Sequence, residues 1–407
     1  MGSFDSLRYR DYRFVWTGAF LSNVGTWMQA IALNWYVFLL TRSAFWVSFV
    51  TFINFMPSVV SPIGGAYSDR YDRRRILLVT QSFMLVDAAA LAILVWRGHG
   101  SLLSVLLLTF GLGLAVGFNN PTWMAFVPSL VPPELLVNAI ALNSAQFSLA
   151  RVIGPAVAGA MIALTGAALV FGINALSFVA VLVALLLVSP RPVERAGQRR
   201  VRELLASGVR YTWDDRRLRA MIGAIGVTSF FAAPVSALLP IFAAKVYGRG
   251  SGAYGALAAA MGVGSVIGAL VVAKLGNRVS TGLVAASLFG VGLALALFSA
   301  IPVFVVGLGL MLAYGAAFLV AVAATNGDIQ LHVSEAMRGR VLSLYFLSFG
   351  ALFPLGSLVA GAVAEAVGAR WTMGVGAGVC VAWGGRLYLR FRGPAAAGEV
   401  RPVLEPG

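Results

Sequence analysis

The stretch GGAYSDRYDRRR, residues Gly64–Arg75, is the most densely charged part of the first hundred residues and lies between two long apolar runs. Its twelve residues include two glycines, two aspartates and four arginines. Each flanking run has about 20 residues, which is the length that a helix needs to cross the hydrocarbon core of a bilayer. The pattern predicts two transmembrane helices joined by a short polar connection outside the membrane.

Apolar runs of this length recur from one end of the chain to the other. Hydrophobic residues make up 59% of the 407 residues and charged residues 11%, against about 25% charged residues in soluble domains. This composition excludes a soluble globular protein and a disordered chain, and long runs indicate helices because barrel strands are about 10 residues long. We predict an all-α integral membrane protein with twelve transmembrane helices, at residues 14–40, 44–67, 76–96, 102–126, 138–164, 167–189, 220–244, 253–273, 282–300, 302–325, 341–364 and 371–391.

The basic residues predict the orientation of these helices. If both termini are cytoplasmic, 23 of the 30 lysines and arginines fall on the cytoplasmic side and five on the other side. Cytoplasmic connections of membrane proteins are enriched in lysine and arginine. We therefore expect a multi-pass protein of the cell membrane with both termini in the cytoplasm, and we attribute the net charge of +15 to topology rather than to nucleic-acid binding.

The longest polar stretch, residues 190–219, lies near the middle of the chain and divides it into two parts. It predicts an N-terminal six-helix bundle (1–189), a basic cytoplasmic linker (190–219), a C-terminal six-helix bundle (220–392) and a cytoplasmic tail (393–407).

A weak internal repeat supports this division. Gly154, Gly159 and Gly166 have counterparts 202 residues later at Gly356, Gly361 and Gly368, and a second set of matches, Gly64, Arg70 and Arg74 with Gly268, Lys274 and Arg278, has an offset of 204. Two pseudo-symmetric bundles with a central site between them are a transporter architecture.

The charged stretch between spans 2 and 3 resembles the signature loop of the major facilitator superfamily, G-x-x-x-D-R-x-G-R-R. The matching positions are Gly65, Asp69, Arg70, Arg73 and Arg74, and Asp72 stands where the pattern usually has glycine. The resemblance implies a conformational latch at the cytoplasmic face that helps to hold the outward-open state. We expect Gly65 to permit close helix approach and Asp69 to interact with the positive N-terminus of a facing helix. A positive-inside anchor is the alternative interpretation of the arginines.

Span 5 resembles the antiporter motif of the same superfamily, G-x-x-x-G-P-x-x-G-G. Gly154, Pro155 and Gly159 match, while Ala150 and Ala158 stand where glycine is usual. Small residues at this spacing also permit close helix packing, so packing alone remains an alternative. The wider stretch from residue 119 to 159 is similar to the branch of drug and siderophore exporters of the enterobactin-exporter and macrolide-efflux type.

The resemblance implies a function. It implies a major facilitator fold that exports a small amphipathic organic molecule, such as a drug, an antibiotic or a siderophore-like product, by alternating access. It also implies that protons are the coupling ion, and we expect a monomer. A lipid or lysolipid flippase or an importer could use the same fold. A transporter-like sensor and an integral membrane enzyme are further alternatives.

Polar side chains inside the predicted spans are candidates for the substrate site because they are costly in lipid. Asn23, Trp27 and Asn34 lie on one face of span 1, which lines the central cavity in the superfamily. Hydrogen bonding between helices is the alternative role for each of them. The full set of cavity candidates is Asn23, Trp27, Asn34, Asn54, Gln146, Arg151 and Tyr314.

Ionisable residues deep in the spans form a separate group. Arg151 in span 5 is expected to pair with an anionic substrate group or an acid, or to extend toward the interface. Asp87, about midway along span 3, is the candidate for proton coupling, although a helix–helix hydrogen bond is an equal alternative. Asp328, His332 and Glu335 are expected in a cytoplasmic loop before span 11.

Several functional classes are disfavoured by what the sequence lacks. One cysteine and two histidines provide no Cys/His cluster for a metal. The sequence contains no Walker A motif for ATP and no GxSG or HExxH motif of a hydrolase. We therefore expect no enzyme activity, no cofactor and no metal.

Overall fold

The computed structural model describes residues 4–188 and 209–391, and all the regular elements in these ranges are helices. Most of the predicted linker and the whole predicted tail (393–407) lie outside the described residues. The first half of the chain forms α1 (Arg10–Thr41), α2 (Ala44–Phe55), α3 (Ser61–Arg70), α4 (Arg73–Trp96), α5 (Leu102–Phe126), α6 (Leu136–Thr165) and α7 (Ala167–Leu187). The second half forms α8 (Arg216–Val227), α9 (Val235–Ile241), α10 (Ser251–Leu275), α11 (Thr281–Ala300), α12 (Phe304–His332), α13 (Glu335–Val367) and α14 (Ala369–Phe391).

The all-helical prediction is confirmed for this part of the chain. Nine helical segments within the described ranges are long and apolar enough to cross a bilayer. Three other segments correspond to predicted spans but differ in character. Helices α1 and α14 have 32 and 23 residues and carry more polar side chains, and α2 and α3 are separated by a 3₁₀ turn at Met56–Val60.

Local sequence explains where many helices begin and end. Polar N-caps begin several of them: the Ser43 hydroxyl accepts from the Trp46 amide at the start of α2, and the Asp215 carboxylate accepts from the first turn of α8. Gly166 ends α6 and Gly368 ends α13, with φ of 81° and 92°. Glycine adopts this left-handed region without steric cost, so both connections reverse the chain in one residue.

The span that contains α8 and α9 is interrupted twice. Wide π turns occupy Thr228–Ala232 and Phe242–Val246, before and after α9. Pro234 and Pro240 lack the amide hydrogen that a regular helix needs at their positions. Irregular backbone of this kind at membrane depth is accommodated where other helices cover it.

The repeated glycines have matching structural roles in the two halves. Gly154 packs against α1, and its counterpart Gly356 packs against the π turn at Thr228–Ala232 of its own half. Gly159 packs against α10, and its counterpart Gly361 packs against α2, so both approach the opposite half of the chain. The spacing seen in the sequence therefore corresponds to equivalent positions in the structure.

The two halves of the described chain meet mainly along two antiparallel helix pairs. Helix α6 packs against α10, and α2 packs against α13. A Cβ atom at Gly159 would lie 2.7 Å from the Gly255 Cα atom, so these two backbones touch. On the second pair, the rings of Phe55 and Phe353 meet edge to face at 4.9 Å.

The closest of these contacts lie toward one end of the helices, which we call the closed end. This end carries the start of α2, the end of α6, the start of α10 and the end of α13. Toward the opposite, open end, α3 packs on α5 of its own half instead of on α13. On the first pair, close backbone contacts run from Gly159 to Arg151, which meets Gly262 of α10, and Phe147, one turn nearer the open end, is 46% exposed. A cleft therefore separates the halves at the open end and narrows toward the closed end.

Candidate functional site

The charged stretch that resembles the superfamily signature loop, Gly64–Arg75, lies at the open end, where α3 ends and α4 begins. Asp72, the residue that departs from the superfamily pattern, is the N-cap of α4, and its carboxylate accepts from the Arg75 amide at 3.1 Å. Aspartate is among the best residues at this position because it satisfies an amide that has no partner within the helix. The departure from glycine is therefore explained by helix capping.

Two arginines of the loop cap the ends of neighbouring helices. The Arg73 guanidinium donates to the Ala125 carbonyl at 3.0 Å, at the end of α5. The Arg74 guanidinium donates to the carbonyls of Leu185 and Leu186 at 2.6 Å each, at the end of α7. Because helix C-termini carry partial negative charge and free carbonyls, these contacts stabilise the first half.

The other two charged positions that match the superfamily pattern have no such role in this state. Asp69 is half-buried and Arg70 is exposed. Neither side chain forms an ion pair with another described residue, and α3 does not pack against α13. The latch partners are therefore apart in this structure, and the latch remains a prediction.

The glycine that allows close helix packing is Gly64 rather than Gly65. A Cβ atom at Gly64 would lie 2.7 Å from the Gly117 carbonyl oxygen and 2.8 Å from the Phe118 Cα atom of α5. A Cβ atom at Gly65 would have only Pro121 nearby, at 4.0 Å. The expectation for Gly65 is thus wrong in this state, because one residue of helix rotates a side chain by about 100° and turns Gly65 away from α5.

The antiporter-like motif lies where α6 contacts both α1 and α10. A Cβ atom at Gly154 would lie 3.0 Å from the Val24 carbonyl oxygen of α1, whereas Gly159 faces α10. Pro155 is buried between them. The motif therefore places α6 against its own half on one side and against the opposite half on the other.

The cleft narrows to an apex where α6 packs on both α1 and α10. Trp27 of α1 and Phe147 of α6 form an edge-to-face pair with ring centroids 5.9 Å apart. Arg151 is one helical turn further along α6, and its backbone faces Gly262 of α10. Its side chain is half-buried, and its Nε atom is buried without a hydrogen-bond partner in the described part of the chain.

The remaining cavity candidates are distributed over several environments. Asn23 and Asn54 are half-buried. Asn34 is half-buried next to Trp35, whose ring stacks on Tyr254 with centroids 6.1 Å apart, a contact between the halves at the closed end. The Gln146 amide donates to Asn143 Oδ1 at 3.1 Å within α6. Tyr314 is 2% exposed and its hydroxyl donates at 3.0 Å to the Ala232 carbonyl, which the π turn leaves available.

Asp87 is buried inside the first half, away from the cleft. Asp87 is 4% exposed, and neither of its carboxylate oxygens has a hydrogen-bond partner among the described residues. Helix α4, which carries it, packs on α5 and α7. Gly111 of α5 faces the carboxylate, since a Cβ atom there would lie 3.8 Å from Oδ1.

Glu365 is a functional candidate that the sequence did not reveal. Near the end of α13, its carboxylate accepts from the Ala44 amide at 2.7 Å and from the Ser43 hydroxyl at 3.1 Å. These groups form the N-terminus of α2, so the second half provides a negatively charged cap for a helix of the first half. The contact joins the two halves at the closed end.

Asp328 is a buried ion-pair partner and not a loop residue. It is fully buried in α12, and Arg217 of α8 donates to both its carboxylate oxygens, at 3.1 Å and 2.6 Å. His332 lies one turn further along α12 and Glu335 begins α13. The loop expectation fails because α12 continues to residue 332, beyond the apolar run that marked its predicted end.

We expect Asp328→Ala to destabilise the second half. Removing one partner of a buried, bidentate pair leaves the other charge uncompensated, although Arg217 is partly exposed and can be hydrated. The expected loss is about 1–3 kcal/mol, below the range for fully buried pairs. Thermal unfolding of the purified protein in detergent measures it, with the exposed Asp214→Ala as the matched control. Equal melting temperatures for the two variants would contradict this role.

Comparison with known proteins places the chain in a family. A family model described as transmembrane secretion effector matches residues 1–403. The chain belongs to this family. As a member of the major facilitator superfamily, it is a multi-pass membrane transporter and not an enzyme.

Relatives of this transmembrane secretion effector protein include two siderophore transporters. It is 27% identical over 365 residues to the staphyloferrin A transporter of Staphylococcus aureus, which covers 88% of this chain and 90% of that protein. It is 28% identical over 337 residues to the enterobactin exporter EntS of Escherichia coli O1:K1, which covers 82% of this chain and 80% of that protein.

Solved structures share its fold. A bacterial homologue of the human lysosomal transporter Spinster, in an inward-facing and occupied conformation, matches 94% of this chain and 97% of that chain with a TM-score of 0.77 and 15% identity. A bacterial homologue of the iron transporter ferroportin, in an inward-facing state, matches 94% of this chain and 98% of that chain with a TM-score of 0.73 and 15% identity. At this level of identity the likeness concerns the fold alone.

Proposed function

We propose that the protein is a proton-driven exporter of a small amphipathic organic molecule and that it works by alternating access. The observation that carries the proposal is the contrast between the two ends of the helices, with the halves joined at one end and separated by a cleft at the other. This arrangement is expected for one state of a transporter whose halves rock about a central site. The family description and the exporter among the relatives support the outward direction of transport.

The topology in this proposal has twelve spans in two pseudo-symmetric six-helix bundles, residues 1–189 and 220–392. Nine segments of the described chain qualify by length and composition, and α1, the α2–α3 segment and α14 supply three more. The open end carries the arginine-rich loop at Arg70–Arg75, so the positive-inside rule assigns it to the cytoplasm together with both termini. The structure then represents the inward-open state of a cell-membrane protein. We propose that one monomer is sufficient for transport.

Proton coupling is assigned to Asp87 in this proposal. An ionised carboxylate without a partner is costly inside a membrane protein, whereas a protonated carboxyl at Asp87 would need no counter-ion. Its separation from the cleft means that coupling would act through the packing of α4 on α5 and α7 and not through direct contact with the substrate.

The test is accumulation of a lipophilic dye and a panel of drugs and siderophores in efflux-deficient cells that express the protein. Wild-type protein should lower accumulation of at least one compound, and a protonophore should restore it within minutes. We expect Asp87→Asn to abolish the protonophore-sensitive part. Export that persists in the presence of the protonophore would refute proton drive.

We expect Asp69→Asn to lower transport at least several-fold while leaving folding intact. The substitution removes the charge that would interact with the N-terminus of α13 when the open end closes, so the outward-open state should lose stability. Transport into sealed vesicles measures the effect, and gel filtration of the purified variant checks its folding. Asp72→Asn is the matched control in the same loop, because asparagine also serves as an N-cap. Full transport by the Asp69 variant would rule out the latch.

A further inference from the structure

Arg151 has no partner for its charge within the described protein. Its Nε atom is buried without an acceptor, and no described carboxylate forms an ion pair with it. Nearby polar groups of α6 are already satisfied internally, since the Ser148 hydroxyl donates to the Ser144 carbonyl at 3.0 Å. A partly buried charge without a counter-ion is costly at membrane depth, and it is seldom retained there without a function.

The position of Arg151 on α6 directs its side chain toward the cleft. Residues 147 and 154 face α1, whereas residues 155 and 159 face α10. At 100° per residue, position 151 lies between these two sectors, on the side of α6 that faces the interior of the molecule. Side chains of helices also lean toward the N-terminus, which for α6 is the open end. The guanidinium is therefore presented to the cleft at its apex.

The surroundings of the guanidinium are aromatic and otherwise uncharged. Trp27 and Phe147 form an edge-to-face pair about one helical turn from Arg151 toward the open end, and α10 packs closely on the Arg151 backbone at Gly262. Asp87, the described carboxylate at comparable depth, is on α4 and packs toward α5 and α7. A ligand in this place would meet one positive charge and an aromatic face, with no negative charge opposite.

We infer that Arg151 is the anion-binding subsite of the cleft and that the transported substrate is an organic anion. Its carboxylate or comparable anionic group would accept hydrogen bonds from the guanidinium, and its aromatic or apolar body would pack on Trp27 and Phe147. Arginine suits this role because its planar fork pairs with a carboxylate through two parallel hydrogen bonds. The inference rests on the proposed transport function and specifies the substrate class for it.

The first test measures the electrostatic potential beside Arg151 with thiol reagents. Ser148→Cys is introduced into protein whose single cysteine has been removed by Cys380→Ser, so the only reactive thiol lies one helical turn from Arg151. The purified protein in detergent is treated with the anionic reagent sulfonatoethyl methanethiosulfonate and with its cationic trimethylammonioethyl analogue. We expect the ratio of anionic to cationic rates to exceed that of a free thiol at least five-fold.

Variants then show whether Arg151 is the source of this preference. Arg151→Gln should lower the rate ratio at least five-fold, whereas Arg151→Lys should retain it. Arg386→Gln is the matched control, because this arginine of α14 lies against Trp383 and away from the cleft. A ratio no higher than that of a free thiol in otherwise unaltered protein would overturn the inference, even if the glutamine variant failed to fold.

The second test addresses the substrate class with benzoate and benzylammonium, two probes of similar size and opposite charge. At millimolar concentration, benzoate should slow modification of the thiol introduced by Ser148→Cys at least three-fold more than benzylammonium, and Arg151→Gln should remove this difference. Equal protection by the two probes, including none, would overturn the assignment to an anion. Neither test needs a proton gradient or sealed vesicles. A failure of proton-driven export would therefore not change their outcome, and a failure of the anion assignment can be told apart from a failure of the proposed function.

Discussion

Gly255→Leu is expected to lower transport at least ten-fold by preventing the closed end from forming. A Cβ atom at this position would already lie 2.6 Å from the Gly159 Cα atom and 2.7 Å from the Pro155 carbonyl oxygen. These are backbone atoms of the opposite half, so neither can move aside as a flexible side chain would. The halves would have to separate along the α6–α10 pair, and the inward-open state would be lost.

Two measurements check this prediction. Uptake into vesicles gives the transport rate, and labelling of Ser48→Cys with a membrane-impermeant maleimide in a cysteine-free background reports opening of the closed end. Ser48 is fully buried against Gly361, and its hydroxyl has no hydrogen-bond partner in the described residues, so cysteine replaces it without loss of a bond. Gly252→Leu is the matched control because nothing lies within 4 Å of a Cβ atom there. Normal transport by the Gly255 variant would show that close packing of α6 on α10 is not required for transport.

Glu365→Ala is the second substitution with a large expected effect. It removes the carboxylate that caps α2 from the opposite half, and loss of a capping side chain typically costs about 1 kcal/mol. Because the cap exists only when the closed end is joined, this cost falls on one state and should shift the equilibrium about five-fold toward opening. The labelling rate of Ser48→Cys should rise by a similar factor, and the cycle should slow.

Glu335→Ala provides the comparison for this experiment. It removes an exposed glutamate from the other end of the same helix, α13, and should leave labelling at the closed end unchanged. Equal labelling rates of Ser48→Cys in the Glu365 and Glu335 variants would mean that the Glu365 cap does not help to hold the halves together.

The general architecture could be predicted from the sequence because its signal is local. A run of about 20 apolar residues identifies a membrane helix without knowledge of its neighbours. The repeated glycines were also informative, since Gly154 and Gly356 pack in equivalent places. The interruptions at Met56–Val60 and Thr228–Ala232 were not foreseen, because hydropathy is insensitive to backbone irregularity.

The features that escaped prediction depend on contacts between distant residues. Glu365 meets Ser43 across 322 positions of sequence, a contact that no local pattern indicates. The choice between Gly64 and Gly65 depends on the rotation of one helix relative to another, which neighbouring sequence does not determine. Asp328 resembled a loop residue because it follows the end of an apolar run, and its ion-pair partner, Arg217, lies on a helix 111 positions away.

The antiparallel arrangement of α13 and the α2–α3 segment gives the Glu365 cap a wider consequence. Each of these two segments has an acidic residue close to its C-terminus, Glu365 in α13 and Asp69 in α3, and each has an N-terminus at the opposite end. In this state Glu365 is docked on a helix terminus and Asp69 is not, and the proposed latch would reverse this when the open end closes. Rocking would then exchange one dock for a comparable one, so the two states would differ little in energy. An equilibrium between two states of similar energy can be shifted by the modest free energy of binding one substrate or one proton.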